Sequence, residues 1–289
     1  MRKISKRSVF IIINILLCLV VSACAPTFQG NECIKQGVKN LCQKEYGVEV
    51  DVKIVDATLC VRIPLEGVFD SNTMQIAPEA LKKIDGVMLS VSRVSLSCDA
   101  PILFYKVITI DNNIPGIEVT ITRYVNDLKR YMYGDISRGE FTKRMIFDVQ
   151  YLPQAAGSDW LNDFNPKEMV IEDFISWQAV RRIADEFKED KVLAGKFKLS
   201  ACEGNLQDGI FQFSVEIKRE GLPMSELIHG IEWHSTVLEL CLKKIAHVIY
   251  VYGYEDFDRV EIVNQFDNKL MIMQKDEIND WRKRRIEIE

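Results

Sequence analysis

Residues 195–218 read GKFKLSACEGNLQDGIFQFSVEIK. Asp208-Gly209, in the middle of the stretch, takes up the positive φ angles of a tight hairpin turn at low steric cost. Beyond it Phe211, Phe213, Val215 and Ile217 alternate with Gln212, Ser214 and Glu216. One side of that strand demands burial and the other is polar. Residues 195–202 and 210–218 therefore predict a hairpin half-buried against something apolar. Downstream, Pro223 precedes a long Leu-, Ile- and Val-rich helix predicted over about 224–250. FDRVEIVN (257–264) and KLMIMQ (269–274) then pair around Asp267-Asn268, although Val263 breaks the alternation of Val260 and Ile262. A short polar helix over 276–286 closes the chain. Upstream, Asn165, Pro166 and Glu168 have the composition of an N-cap, a first-turn proline and a capping box. They predict a helix over 166–189 with Val170, Phe174, Trp177, Ile183 and Phe187 along one side.

The first half repeats this pattern. Residues 32–46 place Ile34, Val38, Leu41 and Cys42 at helical spacing and end at Gly47. VEVDVKI (48–54) alternates strictly, and a second strand, 58–64, follows a tight Asp56-Ala57 connection. Residues 78–97 put Leu81, Ile84, Met88 and Val91 on one stripe, which favours a helix, although Gly86 and the Ser/Val mixture also allow a strand. ILFYKVITID (102–111) and IEVTITRYV (117–125) flank a turn-rich loop and form a hairpin, and a helical stretch over about 136–150 completes the half. The chain thus reads as an α+β protein of two tandem α-β-β-α-β-β modules, 32–151 and 166–289, with antiparallel hairpins packed against helices. Residues 152–165, a mixture of Pro, Gly, Ser, Asn and Asp, form the linker and the expected site of first proteolysis. At the level of fold alone, such units resemble the small helix-on-sheet modules of envelope assembly and secretion lipoproteins.

The N-terminus is of a different character. Of 289 residues with 37 bases and 42 acids, the first 23 hold four bases and no acid, leaving 33 bases against 42 acids, a net charge of −9, in the rest. So acidic a body excludes a nucleic-acid binder, which needs clustered cations against phosphate. The basic MRKISKR is followed by the apolar VFIIINILLCLVV (9–21) and by small residues, the order of a secretory signal. That apolar run is too short to span a bilayer. Val21-Ser22-Ala23-Cys24 resembles the lipobox of bacterial lipoproteins: aliphatic, small, small, Cys. The resemblance implies cleavage between Ala23 and Cys24 by signal peptidase II and acylation of Cys24. It divides the N-terminus into a signal peptide, 1–23, and a tether, 24–31, and makes the lipid bilayer the first partner. Ala25, where inner-membrane relatives tend to carry Asp, favours the outer membrane facing the periplasm.

Candidate chemistry is sparse. His229 and His234 flank Glu232 in HGIEWH, but a zincin needs histidines four apart with Glu directly after the first; these are five apart, and His247 lies 13 further on. Glu255, Asp256 and Asp258 lack the oxygen spacing and Gly of a calcium loop. Tyr250, Tyr252 and Tyr254 suit core or boundary packing, with Tyr250 and Tyr254 on one helix face. Arg282, Lys283, Arg284 and Arg285 beside Trp281 complement the end of a helix. Cys33, Cys42, Cys60, Cys98, Cys202 and Cys241 remain after Cys18 and Cys24, and their connectivity is open, zero to three bridges. One pairing fails on geometry: on a single helix Cys33 and Cys42 are half a turn out of phase and about 13 Å apart along the axis. No catalytic, cofactor or metal residues are assigned. The expectation is a non-catalytic interaction or assembly lipoprotein of the envelope, partnered by another envelope protein; the alternatives are an envelope enzyme such as a cell-wall hydrolase and a tethered ligand-binding protein.

Overall fold

The computed structural model describes residues 26–70, 73, 75–114, 116–151, 164–219 and 231–286, with the backbone alone for 219, 231–235 and 281–286. The chain divides into two compact units, Met1–Glu168 and Met169–Glu289. Both are α+β, built on mixed sheets of five and four strands.

The first unit runs α1 (Asn31–Tyr46), β1 (Asp51–Val55), β2 (Thr58–Leu65), α2 (Pro78–Ser97), β3 (Phe104–Asp111), β4 (Ile117–Tyr124), α3 (Val125–Tyr133), α4 (Arg138–Lys143) and β5 (Ile146–Tyr151). Its sheet has the order β1-β2-β3-β4-β5. β1 and β2 form one antiparallel hairpin and β3 and β4 another, and the two are joined by parallel pairing of β2 with β3. Parallel neighbours need a crossover of a dozen residues or more, and the 20-residue α2 supplies it. Leu59, Val61, Ile63, Tyr105 and Val107 pack beneath Ile34, Val38, Ile84, Val87 and Val91 of the helices. The opposite face of the same strands is also covered, because Phe164 packs on Cys60, Ile108 and Ile110. Residues 78–97 are a helix despite Gly86. A Cβ there would stand 2.5 Å from the Tyr46 ring, so the glycine is what lets α1 and α2 approach.

The second unit runs α5 (Ile171–Glu189), α6 (Lys191–Ala194), β6 (Phe197–Gln207), β7 (Ile210–Arg219), α7 (Ile231–Tyr252), β8 (Arg259–Asn264), β9 (Lys269–Gln274) and α8 (Lys275–Ile286). The sheet order is β6-β7-β8-β9, again two hairpins fused by a parallel central pair, β7 with β8. Phe211, Phe213, Val215, Ile217, Val260 and Ile262 face α5 and α7. Gln212 on the other face of β7 is exposed, and Ser214 and Glu216 are half-buried.

The two units share a turn and a clamp. Each first hairpin turns on an aspartate of positive φ, Asp56 at 49° and Asp208 at 51°. Each third strand ends on a buried Asx, Asp111 or Asn264, 1% and 2% exposed. The residue after it donates its amide to the last paired residue of the second strand, Asn112 to Leu65 and Gln265 to Val215, both at 2.8 Å. Two residues beyond that carbonyl the chain donates back to the Asx side chain: Gly67 to Asp111 at 3.3 Å and Ile217 to Asn264 at 3.0 Å. Asp111 also accepts from Val68 at 2.8 Å, Phe69 at 3.3 Å and Asn113 at 2.8 Å.

The expected pattern is corrected in two places. Residues 136–150 are not one helix: after the short α3 and α4, Ile146–Tyr151 adds a fifth strand on β4. The helix expected from 166 begins at Ile171, capped by Val170 without a side-chain bond. Phe164 is held on the sheet and the Lys167 carbonyl accepts Lys106 Nζ at 3.0 Å, which keeps the capping-box residues Asn165, Pro166 and Glu168 out of the helix. Residues 152–163 of the linker and Pro223 with the expected helix start at 224 lie outside the described residues.

Removing the clamp leaves buried amides without an acceptor, which costs about 1–3 kcal/mol for a neutral partner and more for a charged one. Asp111→Ala should therefore lower the stability of the first unit more than Asn264→Ala lowers that of the second. Urea unfolding followed separately in each unit measures both, and equal or negligible losses would contradict the clamp.

Candidate anchoring site

Ala23 and Cys24 lie outside the described residues; the chain that follows is bonded to the body. The Thr27 and Phe28 amides donate to the Ser97 carbonyl at the end of α2, at 2.8 and 3.2 Å. Asp99 donates its amide back to the Phe28 carbonyl at 3.1 Å, and the Gly30 amide donates to Asp99 Oδ1 at 2.9 Å. Phe28 and Cys98 form a parallel bridge. The Phe28 ring lies on Gly37 of α1, where an added Cβ would come within 2.4 Å of it. The segment read as a tether over 24–31 is thus bound to the body from Thr27 onward. The signal for this in the sequence is slight: one aromatic in APTFQGN, and a glycine nine residues later inside a helix.

The remaining candidates take structural positions. His229 and the side chain of His234 lie outside the described residues, as do those of Trp281, Arg282, Lys283, Arg284 and Arg285; His247 is half-buried on α7. Among the described residues no group of three His, Cys, Asp or Glu could hold a metal ion. Glu255, Asp256 and Asp258 are exposed in the connection to β8. There the Asp258 amide donates to the Gly209 carbonyl at 2.7 Å, and Lys275 Nζ bonds the Glu255 carbonyl. α7 ends at Tyr252, so Tyr254 does not share a helix face with Tyr250. Tyr252 meets Phe174 edge-on at 5.5 Å, and Tyr254 packs on Phe211 at 5.8 Å while its hydroxyl donates to Glu172 at 3.0 Å. Burial first, and then the Glu172 carboxylate, push the Tyr254 hydroxyl well above its ordinary pKa.

The six described cysteines are free thiols. Burial pushes Cys42 and Cys60 up to about 11 and Cys202 up to about 12, and raises Cys241 and Cys98 as well. Thiols so placed stay protonated at neutral pH and are poor nucleophiles.

Two surface features remain. A shallow polar groove of about 450 Å³ runs between α1 and β1, lined by Lys39, Asn40, Gln43, Glu49 and Asp51 among others. On the edge strand β5, Phe147, Val149 and Tyr151 are 42%, 49% and 66% exposed and alternate with Asp148 and Gln150. In the sequence this stripe is hidden because Arg138–Lys143 is charged and helical and blurs the alternation that starts at Ile146.

No protein-family model, no characterised protein and no solved structure matches this chain. No helix among the described residues is long and apolar enough to cross a membrane.

Thiol alkylation tests this distribution. In reduced Cys24→Ser protein at pH 8, exposed Cys33 should react before the buried Cys42, Cys60 and Cys241. Their native-state rates should rise only as pH climbs toward the raised thiol pKa values, since only the thiolate attacks. Peptide mapping after timed alkylation gives the order; buried thiols modified as fast as Cys33 would contradict it.

Proposed function

We propose that this protein is a membrane-anchored envelope lipoprotein that serves as a non-catalytic interaction or assembly module. The observation that carries the first half of this reading is Val21-Ser22-Ala23-Cys24, placed after a basic start and a short apolar run. Acyl chains contribute about 0.8 kcal/mol per buried CH₂, so two or three chains on one residue hold a protein durably where one does not. The body bonded from Thr27 onward suits such an anchor, because little chain is left between lipid and fold.

The second half is supported by the roles the buried polar groups already fill. Asp111 accepts four backbone amides, Arg144 is bonded to Asp127 at 2.7 Å and to Glu140 at 2.8 Å, and Ser92 lies 2.8 Å from the Tyr105 hydroxyl. The Asp127–Arg144 and Ser92–Tyr105 bonds and those of Gly67, Val68 and Phe69 to Asp111 each tie one element of the fold to another. The exposed stripe on β5 belongs to an open sheet edge, a backbone that a partner strand can extend.

The test is Cys24→Ser. Wild-type protein should carry lipid, fractionate with membranes and show the mass of a Cys24-initiated acylated chain. The variant should lose lipid labelling and leave the membrane fraction or accumulate as unprocessed precursor. A wild-type intact mass with an unacylated N-terminus would refute the proposal.

A further inference from the structure

The register of the first sheet divides that unit into two ends. Phe104 of β3 is paired with Thr58 of β2 on one side and Tyr124 of β4 on the other, so the Asp56-Ala57 turn, the end of α2 and the start of β3 lie together. The Leu103 amide confirms this by donating to the Ala57 carbonyl at 2.8 Å. Residues 27–30 are bonded to Ser97 and Asp99 at this same end. The opposite end carries Leu65, Asp111 and the residues Asn112–Ile114 that follow it. Seven strand steps of about 3.3 Å separate Phe104 from Asp111, so the two ends are about 23 Å apart.

Only three Cα-to-Cα steps separate Cys24 from Thr27. At full extension they reach about 10–11 Å. We infer that the Leu103 end of the first unit rests against the phospholipid surface that holds the anchor, with the Asn112 end projecting away from it. This rests on the acylation of Cys24. The headgroup layer of one leaflet is only about 5–8 Å deep, so a chain of this length cannot lift Thr27 more than a headgroup's depth clear of the bilayer. Leu103, 46% exposed, and exposed Pro101 are the apolar groups this end offers to the interface. Exposed Asp56 and Asp99 flank them, with the cation of Lys129 beside Cys98, so the contact is imposed chiefly by the short covalent tether.

Photo-crosslinking in the full-length protein tests the orientation. p-Benzoylphenylalanine is introduced at Leu103 or at Asn112, in cells whose phospholipids are labelled with ³²P, with Cys24 intact or as Cys24→Ser. Pro101 and Asn113 serve as a second pair should either first replacement impair folding. Transfer of label should be several-fold greater from 103 than from 112, should persist at high salt, and should be lost from any Cys24→Ser protein that leaves the membrane fraction. Equal or reversed yields in a protein whose membrane association depends on Cys24 overturn the orientation and leave the anchor standing. A wild-type chain that carries no acyl label at Cys24 overturns the anchor itself, and the orientation with it.

Discussion

Each unit depends on one parallel strand pair at the centre of its sheet. Two antiparallel hairpins, each stable in its local geometry, become a single sheet only where β2 meets β3 and where β7 meets β8. A parallel junction cannot be closed by a turn. The intervening helix must return the chain, and the far end of the junction must be fastened. Asp111 and Asn264 do the fastening, each bonding the neighbouring chain just beyond the last parallel pair. Asp111 is ringed by four amides and Asn264 by two, so the larger sheet has the more heavily bonded junction.

A second recurrent device is the seating of an aromatic ring on a glycine. Phe28 lies on Gly37, Tyr46 on Gly86 and Phe213 on Gly204, each ring closer than a Cβ would allow. The first seats the N-terminal segment, the second brings α1 against α2, and the third lets Phe213 lie over its cross-strand partner on β6. Glycine carries an entropic cost in a helix or strand of about 0.5–1 kcal/mol relative to Ala. Here a buried ring face offsets it.

The order of elements was legible where the determinants are local. Asp208-Gly209 marks its hairpin by turn chemistry alone, and the alternation of Phe211 through Ile217 assigns the buried face of β7. The parallel junctions were not legible, because hydrophobic periodicity identifies strands without saying which will be neighbours. β5 was hidden by the charged run before it. The start of α5 was displaced by a tertiary effect: the cap-like composition of Asn165, Pro166 and Glu168 yields to the packing of Phe164 on the sheet. At the anchoring site, Cys24 stands out in sequence because a lipobox is a contiguous motif. The bonds of Thr27, Phe28 and Gly30 do not, because their partners lie about 70 residues away at Ser97 and Asp99.

In both sheets the spatial order of strands is their order along the chain. No strand is inserted between two earlier ones, so each newcomer is added at the growing margin and no ladder has to be reopened. A polypeptide delivered N-terminus first can therefore assemble each sheet as it emerges, the hairpins through contacts short in sequence and the parallel junctions, Thr58 with Phe104 and Ile210 with Arg259, more slowly. The same order leaves a fresh unpaired margin after every addition, a template for neighbouring unfinished chains. The final strands, β5 and β9, are only six residues each. A short closing strand limits that template to a few rungs, which is how an open sheet restrains aggregation without a cover.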